Sequence, residues 1–549
     1  MFKSKTKSPK SKNQNPKTSS TLNLKERLAQ KRKTLQARQE FTKLLTISGS
    51  VSVFFGILFF LVGGIKAVIP GVLAILIMSF SYKYPRYALF AFLIYLPFGG
   101  TITYYIGSNP ILQLAKDTFY IPALIGFWQM CRRERLPLIV PKAVKTPLFI
   151  LVGLCFLTLI FINGIQQLNP PPVGLLEKAE REIPIAMGIL GIKVLLGYIP
   201  LITCAYYLIR NQKDFLFLSR LQVVIISICC TLGIIQYFLL TSGICEGTRN
   251  ATGALLFKAA IEARCYFGGS LLYSPSQGVI RLPGTFVAPW QWAWFLISST
   301  FFAFATGFTD PKPIWRLVGL GSLAAVFINA VICGQRIAFA LVPVFFVVLL
   351  FVTGEIRNLK RFIPMGLGLA LILGMAMAIN PGLLQQRIDS FVGRVEAAPP
   401  EDFIFQQFEE NWRNVISPIG SGLGRATNSA RSLGQTKLIE TYYAKLLWEI
   451  GILGVLAFLG LVTTLTVIGF KSYRSIKNPS LRSYGAALWV FILFISYNTY
   501  YYPLDVDPVA VYYWFFAGVL FKLPLLDKQQ TQDYQPEKTT KKKFVPLEV

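Results

Sequence analysis

Two arginines lie in short, distinctive segments of a largely apolar chain. Arg281 begins the segment Arg281-Leu-Pro-Gly-Thr-Phe286, and Arg336 ends the tight turn Gly334-Gln-Arg336. A guanidinium is a planar fork that binds phosphate oxygens through two parallel hydrogen bonds. Arginines in segments assigned to the outer side run against the positive-inside trend and suggest an anionic ligand there. Arg281 and Arg336 are therefore candidate catalytic residues. The alternatives are contact with lipid headgroups and capping of a helix end.

A third segment combines arginines with closely spaced glycines. Arg413 precedes the run Ser417-Pro-Ile-Gly-Ser-Gly-Leu-Gly424, which contains Gly422 and is followed directly by Arg425. Glycine lets a backbone approach a sugar or a diphosphate closely, although a plain turn explains the same glycines. Arg413, Arg425, Gly422 and Gly424 are candidate substrate-binding residues.

Glu440 is the candidate general base. The chain contains no histidine, which excludes histidine bases, Ser-His triads and histidine metal ligands. Glu440 begins the segment Glu440-Thr-Tyr-Tyr443, in which Tyr443 lies one helical turn away and would orient the substrate. The alternative is an acidic residue that the helix dipole favours in a first turn. The cysteines show no CxxC spacing, so we expect no metal site and no cofactor.

Membrane helices must position these residues. The chain has 549 residues, 53% of them hydrophobic, and a mean hydropathy of +0.52, which excludes a soluble protein. After Lys43, apolar runs of bilayer length alternate with charged or Gly/Pro-rich breaks. We predict an all-α, polytopic integral membrane protein with about fourteen transmembrane helices. The predicted spans are 44–64, 66–82, 84–99, 110–130, 147–164, 185–209, 215–241, 285–308, 316–333, 337–353, 362–380, 441–470, 484–502 and 508–525.

The distribution of charge predicts the orientation. Lys and Arg number 55 against 26 Asp and Glu, and the excess falls in alternate loops. By the positive-inside rule, both termini of a multi-pass inner (plasma) membrane protein are then cytoplasmic. The basic tail 1–43 and the tail 526–549 flank a membrane domain, 44–525. The first tail is either solvated and disordered or an anchor on an anionic leaflet, and its lack of interleaved aromatics argues against a nucleic-acid partner.

Two long outer loops, 242–284 and 380–440, contain several of the candidate residues, and loops of this size are usually functional. Cys245 and Cys265 lie in the first loop, either as a disulfide or as two free thiols. Trp290, just beyond that loop, suits stacking on a sugar ring or an aromatic belt at the membrane interface.

Charged residues in or beside spans are functional candidates by default. Lys445 and Glu449 are spaced to pair on one helix, whereas Lys193 has no obvious local partner. Asp505 and Asp507 form a DxD-like pattern that either binds a divalent ion or is a solvated loop.

These segments together resemble the O-antigen ligase and O-antigen/exopolysaccharide polymerase superfamily of bacterial membrane glycosyltransferases. Four elements carry the resemblance, in the family's order, over residues 280–455. They are the Arg281 block, similar to Arg-x-x-Gly-Thr-Phe; Gly334-Gln-Arg336, similar to a small-polar-Arg turn; Pro418–Gly424, similar to Pro-x-x-Gly-x-Gly-x-Gly; and Glu440–Gly454, similar to a helix start ending in Glu-x-Gly-x-x-Gly. The basic arm also resembles cyanobacterial members linked to hormogonium polysaccharide.

The resemblance implies a GT-C-like, metal-independent, inverting enzyme that works on the extracytoplasmic side. Such an enzyme transfers or polymerises glycan from a polyprenyl-diphosphate (undecaprenyl-diphosphate) carrier to an acceptor hydroxyl. Its implied partners are the lipid-linked donor, the glycan acceptor, the bilayer and other polysaccharide-assembly proteins. Ligases of the family have histidine where Glu440 stands, so the glutamate resembles the polymerase branch. The alternatives are an O-antigen ligase that acts on a lipid or protein acceptor, a bicarbonate-transport-related membrane protein, and a scaffold without catalysis.

Overall fold

The computed structural model shows a protein built mostly from α-helices. It describes residues 24–106, 115–169, 182–251, 263–274, 279–357, 382–397 and 399–533, together with the isolated positions Gly366, Ala370 and Gly374. The α-helices are α1 Leu24–Gly63, α2 Ile65–Lys83, α3 Pro85–Tyr95, α4 Gly99–Ile106, α5 Asp117–Glu134, α6 Lys145–Thr158, α7 Gly164–Leu168, α8 Pro184–Leu196, α9 Leu201–Leu208, α10 Gln212–Thr241, α11 Pro289–Thr309, α12 Pro313–Ile332, α13 Arg336–Thr353, α14 Leu383–Ala397, α15 Pro400–Asn414, α16 Tyr442–Ser475, α17 Pro479–Tyr497 and α18 Val509–Asp533. Two short strands are β1 Leu272–Ser274 and β2 Val279–Arg281.

The chain divides into two compact units, Met1–Phe80 and Ser81–Val549. In the first unit, α1 is basic in its N-terminal half and apolar in its C-terminal half. The helix is unbroken across residue 43, where the sequence placed the end of the tail. Residues 24–43 are therefore helical and continue the axis of the apolar half, which differs both from a disordered tail and from a separate helix on a leaflet. Residues 1–23 lie outside the described part of the chain.

In the described residues, eleven helices are long and apolar enough to cross a membrane, and they coincide with eleven of the predicted spans. The predicted span 66–82 corresponds to the shorter apolar helix Val68–Lys83. The predicted span 110–130 corresponds to α5, which begins only at Asp117 and ends in a charged run. The span 362–380 falls outside the described residues except for the three isolated positions. The helical, membrane-embedded character is confirmed, whereas the full count of fourteen and the GT-C-like fold stay predictions.

Helix α11 forms the centre of the second unit. Its most apolar stretch is completely buried, and 89% of the corresponding stretch of α18 is buried. Helix α11 packs against α12, α13, α17 and α18. Aromatic contacts join these helices, such as Phe301 with Phe345 and Phe491 at ring-centroid distances of 5.0 and 5.2 Å. Because α11 is enclosed by protein, the residues just before it are held on a rigid element.

The loop 242–284 contains a disulfide and a short hairpin. Cys245 and Cys265 form the disulfide, which decides between the two alternatives that the sequence left open. Strands β1 and β2 pair antiparallel, with Leu272 opposite Arg281. Arg281 is thus the last residue of a paired strand, nine residues beyond its cross-strand partner.

Candidate functional site

A cavity of about 370 Å³ lies within the second unit. Its volume falls in the range of roughly 300–1,000 Å³ that is typical of small-molecule sites. Segments that the sequence assigns to the outer side, or to the middle of a span, form its wall. They are residues 95–103, Lys116, 190–198, 286–291, 427–429 and 502–510.

The cavity wall combines aromatic rings with hydroxyl and amide groups. Trp290 is 49% exposed in the first turn of α11, and Tyr95 and Phe286 add two further rings. Residues 427–429 contribute a threonine, an asparagine and a serine. Such a wall suits a ligand that has both apolar faces and hydroxyl groups.

Two ion pairs attach the loop between α17 and α18 to the rest of the site. Lys116, the N-cap residue of α5, binds Asp507, and both residues line the cavity. Lys445 Nζ on α16 lies 2.5 Å from Asp505 Oδ2, and the two side chains are only 4% and 6% exposed. Lys445 thus contacts Asp505, and its charge also acts on Glu449, the partner that the sequence predicted. Neither aspartate is a solvated loop residue, because a lysine from another segment neutralises each one.

A third ion pair lies beside the break between α8 and α9. Lys193 Nζ lies 2.8 Å from Asp117 Oδ2, so the partner that the sequence did not reveal comes from α5. Lys193 and Tyr198 both line the cavity. In the described part of the chain, the Tyr198 hydroxyl and Asp117 Oδ1 are buried without a hydrogen-bond partner. Unpaired polar atoms of this kind are costly, which makes the region receptive to a polar ligand.

The wall segment at Tyr502 has a strained backbone. Tyr501 and Tyr502 have φ values of 56° and 34°. Conformations of this kind cost about 1–3 kcal/mol each in residues other than glycine and cluster at functional sites. Burial raises the pKa of Tyr502, and the negative charges of Asp505 and Glu440 raise it further. Glu440 is therefore close enough to this wall for its charge to act on it.

The glycine-rich loop is buried and packs against other parts of the protein. A Cβ on Gly424, which has a φ of 81°, would collide with the carbonyl oxygen of Met187 on α8. A Cβ on Gly422, at φ 119°, would lie 3.3 Å from Gln166 Oε1. Neither glycine lines the cavity, so in this structure both serve close packing within the protein.

The same loop fits into a break in α16. Gly451 is non-helical, with φ 67° and ψ −175°, and a Cβ there would collide with the carbonyl oxygen of Pro418. Two residues earlier, the Glu449 carboxylate accepts hydrogen bonds from Ala426 N at 2.8 Å and from Thr427 Oγ1 at 2.9 Å. Glu449 is thus a positioning residue that holds Thr427 at the cavity wall.

Replacing Gly451 with alanine is expected to lower the thermal stability of the purified protein markedly. The substitution forces a side chain into a left-handed conformation, which costs on the order of 1–3 kcal/mol, and adds the clash with Pro418. Gly460 lies on the same helix with open space around its Cα, so Gly460→Ala is the matched control. An unchanged melting temperature in Gly451→Ala would contradict the packing of the loop into the break.

The arginines of the third segment are bound to protein carboxylates. Arg425 Nη1 lies 2.9 Å from Glu182 Oε2. Burial acts to raise the pKa of Glu182, but hydrogen bonds from the Gln435 backbone N–H and from Arg425 lower it overall. Arg413 is 73% exposed and pairs with Glu409 one turn earlier on α15. Neither arginine lines the cavity.

The structure brings the Arg281 and Arg336 segments together. Gly334, at φ 71°, packs so tightly on the carbonyl oxygen of Ile280 that a Cβ would collide with it. Arg336 is exposed at the first position of α13, and Arg281 is half-buried. Neither side chain lines the cavity, but residues 286–291, which follow Arg281, do.

Glu440 lies outside the first turn of α16. The helix begins at Tyr442 after the N-cap residue Thr441, and its first turn contains no acidic residue. The helix-dipole explanation of Glu440 is weakened accordingly, because that effect falls off beyond the first turn. Tyr443 is on the helix while Glu440 is not, so the predicted one-turn relation does not hold. The Tyr443 hydroxyl donates to the carbonyl oxygen of Ser496 at 2.5 Å.

None of the eight site residues predicted from the sequence lines the cavity. The wall is instead formed by residues that follow the motifs, and by lysines and aspartates paired across the fold. Lys116 and Asp507 are 391 positions apart, so their partnership could not be read from spacing. The available signal was their position as ionisable residues beside apolar spans. Among the described residues, no group of three or more Cys, Asp or Glu side chains could hold a metal ion.

No protein-family model and no curated protein matches this chain. The family resemblance drawn from the four segments therefore remains a prediction. The function has to be argued from the cavity, the arginines and the charges around them.

Proposed function

We propose that this protein is a membrane glycosyltransferase that transfers glycan from a polyprenyl-diphosphate carrier to an acceptor hydroxyl on the extracytoplasmic side. One observation carries the proposal. The Arg281 and Arg336 segments meet, and the chain continues from Arg281 directly into the wall of a polar and aromatic cavity. The guanidinium groups, which are well suited to bind a diphosphate, thus belong to segments that lead directly into a cavity wall suited to bind a sugar.

The proposed reaction divides the chemistry between two sets of residues. The acceptor oxygen attacks the anomeric carbon, and the bond from that carbon to the diphosphate breaks with its electron pair remaining on the diphosphate. Arg281 and Arg336 would stabilise the charge on that leaving group. Glu440 would take the proton from the acceptor hydroxyl. A single displacement of this kind inverts the anomeric configuration and needs neither a metal nor a cofactor.

Polymerisation is the form of transfer that we favour. Glu440 stands where ligases of the family that the sequence resembles have histidine. The charge of Glu440 also acts on Tyr502 in the cavity wall. Transfer to a lipid or protein acceptor is the alternative. Bicarbonate transport has less support, because Lys116 on the wall is neutralised by Asp507 and does not offer an unpaired cation to a small anion.

Replacing Arg336 or Arg281 with lysine is expected to reduce glycan transfer strongly. Lysine keeps the charge but loses the two parallel hydrogen bonds, which corresponds to a barrier increase on the order of 1–3 kcal/mol. The exposed Arg249 contacts the ring of Tyr273 elsewhere in the outer loop, so Arg249→Lys is the matched control. Full polymer output from both variants at normal protein levels would reassign Arg281 and Arg336 to lipid contact.

The orientation of the chain in the membrane can be tested by labelling cysteines introduced on either side of α16. Asn414 and Ser475 are exposed and lie on opposite sides of the predicted span of α16. In intact cells, a membrane-impermeant maleimide should label Asn414→Cys but reach Ser475→Cys only after permeabilisation. The native free cysteines in the described part of the chain are buried and give a low background. The reverse labelling pattern would place the site on the cytoplasmic side.

A further inference from the structure

We infer that the cavity is a subsite for an uncharged sugar ring, which the Lys116–Asp507 pair hydrogen-bonds and on which Trp290 stacks. The inference deepens the proposed function and rests on it for the presence of glycan at this face. It goes further by assigning the ring to residues outside the arginine segments and by stating its charge.

The charge of the wall favours a neutral ligand. Among the described residues, two lysines and two aspartates line the cavity, and no arginine or glutamate does. An acidic sugar would meet Asp505 and Asp507, and a cationic ligand would meet Lys116 and Lys193. A neutral sugar ring meets no like charge on the wall and therefore binds without electrostatic repulsion.

The Lys116–Asp507 pair has the hydrogen-bonding capacity that a sugar hydroxyl needs. A hydroxyl both donates and accepts, whereas an ammonium only donates and a carboxylate only accepts. A hydroxyl that lies against the pair can therefore accept a charge-assisted hydrogen bond from Lys116 and donate one to Asp507. The two side chains are 15% and 20% exposed and line the cavity, so the pair is open to a ligand.

The Lys445–Asp505 pair offers a useful contrast. Its side chains are almost completely buried, and Lys445 does not line the cavity. That pair serves to hold the loop between α17 and α18. Of the ion pairs in the part of the chain that the structure describes, the Lys116–Asp507 pair is the one with both members in the cavity wall.

Unpaired polar atoms lie on the same side of the cavity. Tyr198 lines the cavity, is 6% exposed, and its hydroxyl has no partner in the described part of the chain. Lys116 Nζ lies 5.7 Å from the centre of the Tyr198 ring. The unpaired hydroxyl thus belongs to a ring that lies beside Lys116 in the cavity wall.

Trp290 supplies the apolar half of the subsite. Sugar rings have faces of C–H groups that pack against aromatic rings, and an indole offers the largest such surface. The helix that carries Trp290 is the most buried in the structure, so the ring projects from a fixed base. A half-exposed tryptophan that lines the same cavity as an ion pair is an arrangement that the aromatic belt of a membrane interface does not require.

The test is binding of defined sugars to the full-length protein in nanodiscs, measured by saturation-transfer NMR and tryptophan fluorescence. The probes are the neutral disaccharides lactose, cellobiose and chitobiose, and the acidic cellobiouronic acid. We expect at least one neutral disaccharide to bind, and cellobiouronic acid to bind more weakly than cellobiose. Trp290→Ala should weaken binding about tenfold, whereas Trp412→Ala, which removes a similarly exposed tryptophan outside the cavity, should not.

The double variant Lys116→Met/Asp507→Leu removes both charges together, so that neither is left without its partner, and it removes both hydrogen bonds to the sugar. It should stay close to the wild-type melting temperature and lose most sugar binding. Absence of binding by every neutral probe, tighter binding of the acidic one, or equal losses in Trp290→Ala and Trp412→Ala would overturn the subsite. Sugar binding without transfer from a lipid-linked donor would leave the subsite standing and overturn the proposed enzyme. Transfer from the lipid-linked donor without sugar binding would overturn the subsite and leave the proposed enzyme standing.

Discussion

Replacing Glu440 with glutamine is expected to stop polymer growth while leaving the fold intact. Glutamine keeps the shape of the side chain but cannot accept the proton of the acceptor hydroxyl. Loss of a general base typically costs about 10² to 10⁴ in rate. With purified protein and a lipid-linked repeat unit, the donor should accumulate and long chains should be missing from a gel.

The control for this experiment is Glu401→Gln, which removes an exposed carboxylate at the start of α15. Glu440→His should restore part of the activity, because imidazole is a competent base and stands at this place in the ligases that the sequence resembles. Wild-type chain lengths from Glu440→Gln would show that Glu440 is not the base. Transport or scaffolding would then be the better account.

Replacing Asp505 with asparagine is expected to produce the largest loss of stability. The substitution removes the carboxylate that Lys445 Nζ contacts at 2.5 Å in a pair whose side chains are 4% and 6% exposed, and it leaves in place Glu449, whose charge also acts on Lys445. Breaking a buried ion pair on one side costs about 3–5 kcal/mol. The loss should appear as a strongly lowered melting temperature of the purified protein.

Two comparisons separate this effect from a general sensitivity to mutation. The triple variant Lys445→Met/Glu449→Gln/Asp505→Leu removes all three interacting charges and should recover most of the stability, because no buried charge is then left unpaired. Arg413→Ala breaks an exposed pair and should change the melting temperature little. A stable Asp505→Asn protein would mean that Lys445 is not held as a buried cation.

The sequence predicts the helices well because bilayer length is a strong local constraint. Eleven predicted spans overlap apolar helices of membrane-spanning length, 66–82 corresponds to a shorter apolar helix, and 362–380 stays a prediction because it lies outside the described residues except for three positions. The predicted span 110–130 included Lys116 and Asp117, which the structure places at the start of α5 in ion pairs. A hydropathy pattern cannot tell charges that cross-link segments from charges that merely interrupt a span.

The site was harder to predict because its parts meet across the fold. The sequence identified the Arg281 and Gly334–Arg336 segments, which do lie together, but their spacing could not show that Gly334 packs on Ile280. It offered Gly422 and Gly424 as ligand-facing residues, whereas their backbones contact the protein. Glycine permits close approach without specifying what approaches.

The central claim is transfer of glycan from a polyprenyl-diphosphate carrier, and reconstitution tests it most directly. Purified protein in liposomes is given a single polyprenyl-diphosphate-linked repeat unit, and the products are followed by mass spectrometry, with the new linkage assigned by NMR. The proposed function predicts free polyprenyl diphosphate, glycan of two or more repeats, and an anomeric configuration inverted relative to the donor. An intact donor in the presence of folded wild-type protein, with no new glycosidic bond, would contradict it.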